Sequence, residues 1–206
     1  MTSRPIIGRC AAIAFGTALL GACTSAAPTH YHSLLDRPDT VAPATAPAAF
    51  LIDVQPVGIP AQVDRPQIVV RDADGMVPLE RERWIAPLAD EIRTTLSAGL
   101  TRELATTDVA GQPRPVGARV LNIRVDLRRF ESAPGAYAAV DATWSLSLDA
   151  AKSSPLVCSI RVRESAGEGY EALVRAHRLV LATIARRIAT AARAYATAGD
   201  GTCAPD

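Results

Sequence analysis

Three histidines, no Gly-x-Ser-x-Gly elbow, no Cys-x-x-Cys and no His-x-x-x-His leave this 206-residue chain without the usual equipment for catalysis or metal binding. Hydrolysis needs a nucleophile, a base and an orienter brought together, and the imidazole bases on offer are His30, His32 and His177. The first two sit in an Ala/Pro-rich stretch, where they make a weak metal-binding pair. His177 falls inside an apolar helical stripe, where a buried ring bonded to a neighbour is the expectation. Asp72-Ala73-Asp74-Gly75 opens like a calcium loop but lacks the later ligands and the closing Glu, so it reads as a turn. No glycine-rich loop precedes a helix to cradle phosphate. No cofactor, metal or enzymatic activity is expected. With 22 basic and 21 acidic residues there is no bulk attraction to nucleic acid.

What the chain does have begins at its start. Residues 1–22 carry Arg4 and Arg9, no acidic residue, and an uncharged run from Cys10 to Leu20. That run is shorter than the roughly 20 residues a membrane-spanning helix needs. It reads as a secretory signal. The run closes on Leu20-Gly21-Ala22-Cys23, which resembles the bacterial lipobox, so the resemblance implies cleavage after Ala22 and acylation of Cys23. The alternative is an ordinary cleaved signal with a free cysteine. In such lipoproteins an Asp after the cysteine favours the inner membrane; here Thr24 follows, and the expectation is the periplasmic face of the outer membrane. Multiple acyl chains, at about 0.8 kcal/mol per buried methylene, anchor a domain stably. Cleavage would leave 20 basic against 21 acidic residues. It would also leave Cys158 and Cys203 as a pair in an oxidising compartment, which invites a disulfide; two unpaired thiols are the alternative.

Residues 23–48 read as the lipidated cysteine and an Ala/Pro-rich spacer, with Tyr31 to Leu35 as an island able to form a short strand. A folded domain follows over 49–198, then a tail over 199–206. Phe50, Ile52 and Val54 alternate as in a half-buried strand, and short strands are expected at Gln67–Arg71 and Met76–Glu80. Trp84, Leu88, Ile92, Leu96, Leu100 and Leu104 recur every fourth residue, predicting a helix from Trp84 to Leu104 with Pro87 in its first turn. Three strands with period-two alternation come next, with inward sets Leu121 to Leu127, Val140 to Leu148 and Leu156 to Val162. The turns at Ser132 to Gly135 and Ser153 to Pro155 make them an antiparallel meander. A last amphipathic helix, Gly169 to Ala196, puts Leu173, His177, Val180, Ile184, Ile188 and Tyr195 on one side, with Arg175, Arg186 and Arg193 opposite and Arg178 beside them. The fold class is α+β: a mixed sheet with an antiparallel meander and two long helices packed on it. The arginine stripe either meets an acidic partner or anionic headgroups, or is a solvated face.

Three segments together resemble a known family. They are IDVQPVGIPAQVDRPQIVVR (Ile52 to Arg71), LERERWIAPLADEIRTTLSAGL (Leu79 to Leu100) and RVLNIRVDLRRFESAPGAYAAVDATWSL (Arg119 to Leu146). Their order is similar to that of the ABC-type transport auxiliary lipoproteins of the paraquat-inducible protein C type. The matching positions are Val57, Ile59 and Pro60, the Asp64 to Gln67 turn, Arg83, Trp84, Pro87 and Leu88, Arg129 and Phe130, and Trp144. The sequence departs from the pattern at His32, where the family usually carries a second aromatic. The resemblance implies a noncatalytic partner of an MCE-domain protein in an ABC-type system moving phospholipid between membranes. Ring-shaped partners make a homo-oligomer compatible with this. The Asp64 to Gln67 turn is read as structural, with a partner contact through Arg65 as the alternative. A structural lipoprotein binding peptidoglycan or outer-membrane assemblies is the competing function.

Overall fold

The computed structural model describes residues 27–35, 46–148, 154–198 and 201–203. The elements run β1 (His30–His32), β2 (Leu51–Val54), β3 (Gln67–Arg71), β4 (Met76–Trp84), α1 (Leu88–Leu104), β5 (Val120–Ala133), β6 (Tyr137–Leu148), β7 (Leu156–Ser165) and α2 (Tyr170–Ala198). Two sheets form. The larger has the order β2-β5-β6-β7 and the smaller β1-β4-β3. The meander β5-β6-β7 is antiparallel, whereas β2 joins β5 and β1 joins β4 in parallel. The fold is α+β. The signal segment and Cys23 lie outside the described residues, as does Ser153 in the second turn.

Helix α1 begins at Leu88, not Trp84. Pro87 has the extended ψ of 131° and caps the helix without a side-chain bond, and Trp84 instead ends β4, its N–H donating to the Pro66 carbonyl at 2.8 Å. The fourfold apolar repeat runs on into a strand end, where Trp84 is buried for a different reason: it meets Phe130 edge-on, with ring centroids 6.2 Å apart. From Leu88 on the stripe holds. Leu88, Ile92, Leu96, Leu100 and Leu104 are all buried, and at about 1.5–3 kcal/mol each such burial is the main reason the helix stays folded. Asp90 and Glu91 favour the first turn through the helix dipole. The helix ends where Ala105 turns left-handed (φ 47°) and Thr106 N–H returns to the Thr101 carbonyl at 3.2 Å.

Strand β5 keeps one face inward beyond its simple alternation because a bulge between Leu127 and Arg129 shifts the pattern by one residue. Before it Leu121, Ile123, Val125 and Leu127 point inward; after it Phe130 and Ser132 do. Phe130, opposite Val140 as Leu127 is opposite Ala142, therefore stays on the face that meets α2 at His177, while Glu131 on the other face reaches Arg71 of β3. Helix α2 lies on β6 and β7 beside α1. The two helices approach closely at Gly99, where a Cβ would stand 2.9 Å from the Ala185 methyl. No described helix is long and apolar enough to cross a membrane. The chain from α2 returns to β7, where Cys158 and Cys203 are bonded with their Cα atoms 5.6 Å apart.

Candidate functional site

His177 is the one candidate base inside α2. The ring is fully buried, stacked on Phe130 at 4.1 Å between centroids, and its Nε2 lies 2.8 Å from Ser132 Oγ. Burial pushes the imidazole down to about 3, so it is neutral at any pH near 7. A serine and a histidine in contact resemble two-thirds of a triad. Here Nδ1 has no partner to orient the ring, and Ser132 is only 1% exposed, so no substrate reaches the pair. Its role is to join β5 to α2 through the core.

Among the described residues no group of three or more His, Cys, Asp or Glu side chains is arranged to hold a metal. The surface clefts, one between β7 and α2 at about 210 Å³ and another beside Asp53 at about 360 Å³, are open. Enclosed ligand pockets run to about 300–1,000 Å³. What the molecule offers instead is surface, beside two charged joints that hold its parts together.

The first joint receives the incoming chain. Side chains two apart on a strand share a face, so His30 and His32 project together from β1 toward Glu82 on β4. His30 Nδ1 lies 2.8 Å from one Glu82 oxygen and His32 Nε2 2.6 Å from the other. Burial acts to raise the Glu82 carboxyl, but the hydrogen bonds from His32 and His30 outweigh it and hold the group below the usual range. One residue further, Glu91 in the first turn of α1 accepts from the Ser33 hydroxyl (2.8 Å) and the Leu34 N–H (2.7 Å). Arg178 of α2 donates to the Ser33 carbonyl at 2.7 Å. Leu34 itself is completely buried. Residues 30–34, which composition places in the spacer, are thus part of the folded body.

The second joint ties the two sheets. Glu131 on β5 accepts from Arg129 Nε at 3.0 Å and from Arg71 Nε of β3 at 2.9 Å, and also from the Tyr137 hydroxyl. Arg163 covers the Tyr137 ring at 3.6 Å. The Arg129 bond, followed by those of Arg71 and Tyr137, holds the Glu131 carboxyl at about 2 against the opposing effect of burial.

The arginines singled out in the sequence divide. Arg178 and Arg193 are ties, the latter donating to the Glu103 carbonyl at the end of α1 (3.1 Å). Arg175 and Arg186 project outward, Arg175 loosely paired with Glu171 at 3.9 Å and Arg186 with the Thr183 hydroxyl at 2.8 Å. Arg65 is exposed in the turn before β3, where its N–H bonds the Val63 carbonyl at 2.9 Å. Glu82 and Glu91 were missed by the sequence reading. The signal for Glu82 is the His-x-His spacing on a strand, which puts two imidazoles on one face; Glu91, 5% exposed, carries no such signal.

Comparison with known proteins gives a consistent picture. A family model described as ABC-type transport auxiliary lipoprotein component matches residues 32–189. No curated protein matches the chain. Among solved structures, a crystal structure of an uncharacterized protein is 20% identical with a TM-score of 0.62, covering 80% of this chain and 98% of that one. A Xanthomonas campestris protein is 15% identical with a TM-score of 0.61, covering 82% and 96%. These two show a shared fold.

Proposed function

Because the chain belongs to the ABC-type transport auxiliary lipoprotein components, we propose that it is an outer-membrane-anchored lipoprotein on the periplasmic side that docks an MCE-domain protein and takes no part in covalent chemistry. The observation that carries this is the family match from His32 to Ala189, which spans both sheets and most of α2. Auxiliary membership calls for a transporter as partner. The MCE protein as the contact and phospholipid as the cargo are the finer part of the proposal, and they rest on the order of sequence segments from Ile52 to Leu146. Attachment through acylated Cys23 is supported by Leu20-Gly21-Ala22-Cys23 at the end of an uncharged run.

Two measurements test the reading. Mass spectrometry of the mature protein should find diacylglycerol on Cys23 and an acylated amino terminus; a bare terminus removes the anchor. Crosslinking in intact cells followed by purification should recover an MCE-domain protein. Recovery only with sedimented cell wall would transfer the chain to the structural lipoproteins.

A further inference from the structure

Four exposed apolar side chains surround the place where the chain enters the fold. Tyr31, 59% exposed, stands opposite Arg83 in the β1–β4 register, and Ile85, also 59% exposed, is the first residue after β4. Ile85 is held there by its N–H, which donates to the His32 carbonyl at 2.9 Å. Leu35, 40% exposed, follows the buried Leu34. Leu179, 57% exposed, follows Arg178, whose guanidinium grips the Ser33 carbonyl at 2.7 Å. Arg175 lies one helical turn before Leu179 and shares its face.

Single exposed apolar residues are ordinary. Their gathering here has a second observation beside it, namely the length of chain between this place and the anchor. Seven peptide units connect Cys23 to His30. Even fully extended they span about 25 Å. The joint built from Glu82, Glu91 and Arg178 holds residues 30–34 against the domain, so the tether is short. A leash of the length the composition suggests, reaching to residue 48, would let any face meet the membrane; this one does not.

We propose that the face carrying Tyr31, Leu35, Ile85 and Leu179 rests on the phospholipid bilayer that holds the anchor, with Arg83 and Arg175 at the level of the lipid phosphates. This rests on the reading of Cys23 as acylated. Apolar side chains set among cationic ones suit the headgroup boundary, where burial and attraction to anionic lipid add. The contact adds a second point of attachment to the acyl chains and sets which way the remaining surface points.

The test uses the full lipidated protein in vesicles of phosphatidylethanolamine and phosphatidylglycerol with brominated acyl chains, which quench tryptophan on approach. Ile85→Trp and Leu179→Trp report on the proposed face. Val157→Trp is the control: Val157 is 60% exposed, on β7 near the opposite end of α2, where Tyr195 bonds the Ser154 carbonyl. The native Trp84 and Trp144 are buried and contribute a constant background. Quenching at positions 85 and 179 should exceed that at 157 by roughly twofold or more. Equal quenching at the three positions, in protein that floats with the vesicles, overturns the orientation and leaves the anchor standing. Protein that does not float with the vesicles overturns the anchor and the orientation with it.

Discussion

Glu82 and Glu131 each bind two side chains able to carry positive charge, at opposite margins of the small sheet. Glu131 has Arg71 and Arg129, which stay charged at every accessible pH, and its carboxyl is held at about 2. Glu82 has His30 and His32, whose hydrogen bonds hold its carboxyl below the usual range against the effect of burial. The joint between sheets is therefore electrostatically permanent. The joint that receives the incoming chain depends more on the burial of Leu34 and on the backbone bond from Ile85 N–H to the His32 carbonyl than on charge. A short strand of three residues would not hold by backbone pairing alone.

The largest effect should come from removing the packing under the weaker joint. Leu34→Ala, at a completely buried position, should lower unfolding stability by about 3 kcal/mol, measured by urea titration. A loss within error would show that the joint is held by its polar bonds, contrary to the comparison.

Next in size is an acid effect belonging to neither carboxylate. The folded His177 is pushed down to about 3, below the ordinary 6.5 of an unfolded histidine. The unfolded chain therefore takes up the proton first as pH falls. The stabilisation is complete above pH 6.5 and is lost progressively toward pH 3. Between pH 7.5 and 4.5 the wild type should lose about 2.7 kcal/mol from this group, and His177→Gln should lose much less over the same interval. Parallel pH profiles would mean that the imidazole is charged in the folded state.

At the permanent joint, Glu131→Gln should cost about 1 kcal/mol at pH 7, a modest figure because Arg71 and Arg129 are nearly half exposed and water screens them. A carboxyl depressed in the fold stabilises it above its unfolded value, and that contribution disappears as pH falls from about 4.5 toward 2. The gap between wild type and variant should close over that window. The smallest global effect is expected for Glu82→Gln, about 0.5 kcal/mol, accompanied by faster amide exchange in residues 31–34 with no change in α2. Uniformly faster exchange would indicate that β1 opens only with the whole protein.

Much of this architecture was readable without coordinates. The buried face of α2 follows residue by residue from a period of 3.6, which states which side chains share a side. The meander was likewise readable from period-two alternation. Reading failed where the period changed partway through an element. The bulge after Leu127 shifts the alternation of β5 by one residue, and Trp84 continues the α1 repeat by coincidence while belonging to a strand. It was also blind to the division of the arginine stripe. Arg178 and Arg186 look alike on a helical wheel, and only the presence of the Ser33 carbonyl beside one of them makes it a tie.

By itself, the sequence determined the alternation that makes the strands and helices, the scarcity of catalytic groups, and the order of segments that places the chain in its family. Tertiary structure alone decided that residues 30–34 belong to the body, that Glu82, Glu91 and Glu131 become joints, and that His177 stays uncharged. The reason is range. Periodicity is set by neighbours three or four residues away, whereas Leu34 meets Glu91 across 57 positions and Arg178 meets Ser33 across 145, distances over which the chain's order says nothing until it has folded.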